Sequence, residues 1–106
     1  MSTAAALYSS LGGDPDLGEL VEMFVAEMPG RIDLLVKQYD TANWEELRRT
    51  AHQIKGAAGS YGFHELTPAA ARLELAIKSR SPEEQIAADL NALLDLCRSV
   101  RAGVPG

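Results

Sequence analysis

The sequence predicts an all-α protein, an antiparallel up-down four-helix bundle, on three observations. Apolar residues recur at helical spacing over most of the chain, and no run alternates convincingly as a strand. The periodic stretches are separated by short segments carrying cap or stop residues, the pattern of antiparallel neighbours. A length of 106 residues with 46% hydrophobic composition suffices for one core without disulfide or metal. Residues 1–106 therefore read as a single domain whose bundle occupies about 15–102.

The first long helix is expected over about residues 15–42, where Leu17, Leu20, Val21, Phe24, Met28, Ile32, Leu35, Tyr39 and Ala42 form one stripe. Its phase survives Pro29-Gly30, and because proline deletes an internal hydrogen bond and clashes one turn back, a kink or brief interruption is expected there. A second helix follows Asn43, an N-cap with Glu46 as its capping-box partner. It carries Trp44, Leu47, Ala51, Ile54, Ala58 and Tyr61 on its apolar side and stops at Gly62.

A third helix carries Leu66, Ala70, Leu73 and Ile77, and Pro68 is tolerable only near its start, which falls between Phe63 and Thr67. The fourth opens at Ser81-Pro82-Glu83-Glu84, with serine at N-cap, proline at N1 and two carboxylates facing the helix dipole. Ile86, Leu90, Leu93, Cys97 and Val100 continue it until Gly103 and Pro105. A short extra helix from about Thr3 to Leu11 is expected to cover one end of the bundle.

Composition narrows the function. A net charge of −5 argues against a nucleic-acid partner. No stretch approaches the roughly 20 apolar residues of a membrane span, and the N-terminus lacks a basic signal region, so a cytoplasmic location is expected. Cys97 has no second cysteine to pair with and reads as a small core residue. Two histidines and one cysteine at unrelated spacings make no zinc site, and no Gly-rich loop is present to hold ATP. The charges are unevenly spread: Asp14, Asp16, Glu19, Glu22 and Glu27 follow one another without a basic residue, whereas Arg48, Arg49 and Lys55 surround a histidine.

That histidine opens the run His52-Gln53-Ile54-Lys55-Gly56-Ala57-Ala58-Gly59-Ser60-Tyr61-Gly62. A glycine costs roughly 1 kcal/mol against alanine in a helix interior, so Gly56 and Gly59 need a reason. On a helical wheel both fall beside His52, with Lys55 on the other flank. The helix thus presents an imidazole with its neighbours cut back and an ammonium within reach, as exposure to something large and anionic requires. His52 lies about 130° from the centre of the apolar stripe, on the edge of the groove with a neighbouring helix. Gly56 lies on the histidine side and reads as access, Gly59 serves access or close helix packing equally well, and Gly62 reads as the C-cap. His64, at a helix start and without cleared surroundings, reads as a capping or surface residue.

The run resembles the signature of the histidine phosphotransfer (HPt) domain, H-x-x-K-G-x-x-x-x-x-G on a helix. It matches at His52, Lys55, Gly56, Ala57, Ala58 and Gly62, and similar residues stand at Phe24, Pro29, Arg31, Trp44, Leu47, Leu73 and Glu74. The resemblance covers roughly residues 7–102 and departs at Tyr61 and Phe63, where the family tends to an aliphatic and a small residue, and at Pro68. It implies a phosphorelay intermediate, not an enzyme with kinase activity of its own. His52 would accept a phosphoryl group from a receiver aspartyl phosphate, or from a histidine kinase system, and pass it to another receiver aspartate. Lys55 would face the transferred group. Glu74, by likeness to the members found in chemotaxis kinases, would hold one ring nitrogen as a donor; its alternative is an exposed ion pair with Lys78.

The resemblance implies no cofactor, with Mg²⁺ sitting in the partner receiver domain. Response-regulator receivers and a hybrid histidine kinase are the implied partners of a monomeric protein. The alternatives are a binding-only helical adaptor for receivers and an HPt module excised from a hybrid histidine kinase. The start at methionine and the end soon after the last helix favour a free-standing protein.

Overall fold

The computed structural model describes residues 5–105. Four helices pack together: α1 (Gly18–Asp40), α2 (Trp44–Ser60), α3 (Leu66–Lys78) and α4 (Glu83–Ser99). Helix α2 packs most closely on α3, α3 on α4, and α1 lies against both α2 and α4, which closes the ring around one core. Val21, Phe24, Met28 and Leu35 of α1, Leu47, Ala51, Ile54 and Ala58 of α2, Leu66, Ala70, Leu73 and Ile77 of α3, and Ile86, Leu90, Leu93 and Cys97 of α4 are all buried there. These follow the stripes that the 3.6-residue period marks out, except that Leu17, Leu20 and Ala42 of the first stripe are exposed at the ends of α1. Burial pushes the Cys97 thiol up to about 12, so it stays protonated as a small apolar group.

Helix α1 differs from expectation at both ends and in the middle. It runs without interruption through Pro29, although the ring leaves one carbonyl of the preceding turn without its partner. Buried contacts before the proline (Val21, Phe24, Met28) and after it (Leu35) share one phase and hold the two halves in a single helix. The helix starts at Gly18, because the Asp14 carboxylate accepts from the Asp16 and Leu17 N–H groups and keeps the preceding residues in a turn. It ends at Asp40, since Ala42 adopts φ 54° and belongs to the turn.

Three of the four helices stop in the same way. Ala42, Gly62 and Arg80 take left-handed conformations, and the residue after each donates to a carbonyl five positions back: Asn43 to Gln38 (2.8 Å), Phe63 to Ala58 (2.9 Å) and Ser81 to Ala76 (2.9 Å). This is the Schellman arrangement, which satisfies carbonyls that the helix end would otherwise leave open. Only Gly62 announces it by residue type. Asn43 and Ser81 were expected to cap the next helices through their side chains, but neither does so. Asn43 stands at the N-cap without a side-chain cap bond, and Glu46 pairs with Arg49 (2.5 Å) instead of closing a capping box. Pro82, not Ser81, is the N-cap of α4, because Ser81 is already committed to ending α3.

The expected N-terminal helix is replaced, over its described part, by an extended segment; residues 1–4 lie outside the described residues. Strand β1 (Leu7–Tyr8) pairs in parallel with β2 (Val100–Arg101), Leu7 beside Val100 and Tyr8 beside Arg101. Helix α4 therefore ends at Ser99, short of Gly103. Two-residue strands are too short to leave a period in the sequence. The segment continues across the α2–α3 turn: the Ser9 hydroxyl donates to the Tyr61 carbonyl and the Ser10 N–H to the Gly62 carbonyl (3.1 Å). Beneath it, Phe24 packs against Tyr61 (ring centroids 5.3 Å apart) and stacks on Phe63 (5.4 Å), with the Arg31 guanidinium over the Phe24 ring at 5.1 Å. Tyr61 and Phe63, two of the three departures from the family pattern, thus pack this end of the bundle, Phe63 in the core and Tyr61 against it.

Gly62 and Gly56 should respond oppositely to alanine. At Gly62, with φ +79°, a Cβ would stand 2.6 Å from the Ser9 hydroxyl and 2.7 Å from that of Ser10, so Gly62→Ala should cost about 1–3 kcal/mol. At Gly56 a Cβ would meet nothing within 4 Å, and Gly56→Ala should gain up to about 1 kcal/mol. Urea unfolding of both variants checks the pair of signs.

Candidate functional site

The outward flank of α2 next to α3 carries the site. Small residues, Ala69, Ala70 and Ala76, line the buried side of α3 and let it approach closely. Glu74 follows buried Leu73 and comes to rest at the seam between the two helices, where it is 7% exposed although it carries a carboxylate. It is satisfied from α2: His52 Nδ1 lies 2.9 Å from one carboxylate oxygen, and Lys55 Nζ donates to the other at 2.7 Å. Glu74 makes these contacts and no ion pair with Lys78. Its burial excludes the exposed-glutamate alternative.

Hydrogen bonding from Lys55 holds the Glu74 carboxyl below its usual range. Desolvation opposes this, and the His52 hydrogen bond and the Lys55 charge add to it. Glu74 is therefore an anion at neutral pH and can only accept. Its bond to His52 consequently assigns the proton of the neutral ring to Nδ1, which leaves Nε2 with its lone pair. The His52 side chain is 62% exposed, and among the described residues Nε2 has no hydrogen-bond partner. With the ring neutral, the site therefore holds an oriented imidazole whose Nε2 lone pair faces the exposed side.

The glycines separate by location. Nothing stands within 4 Å of a Cβ built on Gly56, so the surface beside His52 is open there. A Cβ on Gly59 would make ordinary contact with Thr67 Oγ1 at 3.8 Å, which places Gly59 toward α3. Gly62 lies beyond the helix end under the N-terminal segment. His64 sits on the α2–α3 turn with Nε2 3.2 Å from the Ser10 hydroxyl, and among the described residues its ring forms no ion pair. Sequence reasoning placed Arg48 only in a general basic neighbourhood. The structure shows its guanidinium bonded through two nitrogens to Glu45, Nε at 3.3 Å and Nη2 at 2.6 Å, one helical turn before His52. Among the described residues no group of three or more His, Cys, Asp or Glu could hold a metal ion, and no helix is long and apolar enough to cross a membrane.

A helical domain that exposes one carboxylate-oriented histidine on a cleared helix face has the arrangement an imidazole nucleophile requires. Comparison with protein-family models matches residues 19–103 to the Hpt domain, and the chain belongs to that family. Hpt domains are phosphotransfer modules of phosphorelays, distinct from kinases, and they work with receiver domains and histidine kinases. Searches of the curated proteins and of the solved structures return no match.

The Glu74 contacts generate a pH-dependent contribution to stability. A carboxyl whose folded pKa lies below its unfolded value, about 4.3 for glutamate, stabilises the fold fully above that value and loses the contribution as pH falls through the folded pKa. The difference in urea stability between the protein and Glu74→Gln should be largest at pH 6 and shrink toward pH 3. Nitrogen-15 NMR of the His52 ring in its neutral form should show the Nδ1–H tautomer in the native protein and a shift toward Nε2–H in Glu74→Gln.

Proposed function

We propose that this domain is a phosphorelay intermediate that carries a phosphoryl group on His52 Nε2. The observation that carries the proposal is the His52–Glu74 bond. It leaves Nε2 unprotonated, exposed and beside the open surface at Gly56. In the forward step the Nε2 lone pair forms a bond to phosphorus as the bond between phosphorus and a receiver's aspartyl oxygen breaks, and the aspartate leaves as a carboxylate. The ring keeps its Nδ1 proton and becomes cationic, and the Glu74 anion offsets that charge. Transfer to a second receiver reverses these events.

Lys55 is placed to serve both ends of this step. One donor holds Glu74, and the ammonium retains others for the phosphoryl oxygens. The domain supplies no cofactor of its own, and Mg²⁺ held by the receiver would supply the charge neutralisation that such a transfer requires. The protein acts as a monomeric single domain in the cytoplasm. Its partners are response-regulator receivers and a hybrid histidine kinase. The short α1–α2, α2–α3 and α3–α4 connections support an up-down antiparallel order for the bundle.

Incubation with a phosphorylated receiver should give acid-labile, base-stable phosphate on this protein. His52→Gln should abolish it while leaving helicity and receiver binding in place, because the side chain is exposed; His64→Gln should do neither. Label persisting in His52→Gln would sink the proposal, and a protein that binds receivers without ever accepting label would be an adaptor.

Gly56→Leu tests access separately. Its thermal stability should hold or improve while the transfer rate from a receiver falls sharply, because the new side chain occupies the open surface beside Nε2. Normal transfer by this variant would show that the clearing at Gly56 has no part in docking.

A further inference from the structure

We propose that Arg48 is the cation that turns to the phosphoryl group once His52 carries it, exchanging the Glu45 carboxylate for phosphoryl oxygens. This rests on phosphoryl transfer at His52 and adds a phosphoryl-binding residue to it.

Helix geometry supplies the first observation. Arg48 precedes His52 by four residues and Lys55 follows it by three, so the three side chains share one flank of α2. Side chains on a helix lean toward its N-terminus, so the imidazole lies over the turn that carries Arg48. Lys55 in turn leans back toward His52 from the other side. The ring thus stands between the turn that carries Arg48, whose guanidinium is now held toward Glu45, and the Lys55 ammonium, with Glu74 reaching in from α3.

The second observation is the difference between the two cations' present partners. Lys55 is bonded to Glu74, whose side chain is 10% exposed; withdrawing it would leave a largely buried carboxylate with less compensation. Arg48 is bonded to Glu45, whose side chain is 67% exposed and is readily rehydrated on release. Exposed pairs at this spacing contribute little, so a doubly charged phosphoryl group competes well for the guanidinium. The planar fork that now spans both Glu45 oxygens fits two phosphoryl oxygens equally well. The Glu45 hydrogen bond and charge favour the cationic Arg48, burial opposes them, and the charge on Glu74 adds a smaller favourable effect. The neighbouring Arg49 is paired with Glu46.

The test uses phosphoramidate as donor, whose own P–N bond breaks with release of ammonia as His52 is phosphorylated, so that no receiver is needed. Phosphorus-31 NMR then follows protonation of the phosphoryl oxygens with pH. A paired cation lowers their proton affinity. Arg48→Gln should raise that affinity about twofold or more, Arg48→Lys should fall between it and the native protein, and Glu45→Gln, which frees the guanidinium, should not raise it. In the native protein the Arg48 Nε–H resonance should move on phosphorylation. An unchanged phosphorus titration in a folded Arg48→Gln, or an Arg48 resonance that ignores phosphorylation, would overturn the assignment while leaving His52 as the acceptor. Absence of any label on His52 would instead overturn the proposed function, and this inference with it.

Discussion

The Glu74 carboxylate, held at the seam of α2 and α3 between Lys55 and His52, is the constraint around which this protein is arranged. A largely buried carboxylate is costly unless it is paired, and here both oxygens are occupied by donors from the facing helix. The requirement runs in both directions. The two helices must pack closely for the bonds to form, and once formed the bonds fix how α2 is rotated against α3. The orientation of an exposed side chain is thereby tied to the packing of the core.

That coupling accounts for how a surface histidine can be chemically specific. An imidazole on a solvated helix turns freely and distributes its proton over both nitrogens. Tied at Nδ1 to an anion, it offers one nitrogen in one direction. Catalytic groups often acquire such order from burial, which would bar a protein partner from reaching them. Here the orienting residue is buried and the residue it orients is exposed, 10% against 62% of the side chain. Gly56 keeps the approach open without disturbing either.

The far end of α2 shows a different use of the same economy. Gly62 turns the chain in a conformation that disfavours other residues, and the room left by its missing Cβ is filled by Ser9 and Ser10 of the N-terminal segment. Phe24, Tyr61 and Phe63 close the core below. The short pairing of β1 with β2 fastens the segment to the end of α4. The turn that follows the functional helix is therefore packed from above and below, and the helix carrying His52 has a firm end.

The sequence by itself determined the four apolar stripes, the buried residues at their centres, the stop at Gly62 and the histidine with its cleared flank, because each depends on periodicity or on the chemistry of one residue type. The tertiary structure decided the rest. Glu74 could equally have paired with Lys78 along its own helix; only the approach of α3 to α2 gave it His52 and Lys55. The left-handed turns at Ala42 and Arg80 are imposed by chain reversal on residues that do not favour them, so neither was legible, and they displaced the caps that Asn43 and Ser81 advertise. Pro29 suggested a break that packing on both sides of it does not permit. The first described residues were expected to be helical and became a strand, because their partner lies at the opposite end of the chain. Local pattern records what a segment can do alone, and where two segments distant in sequence compete for the same groups, their meeting in space settles the outcome.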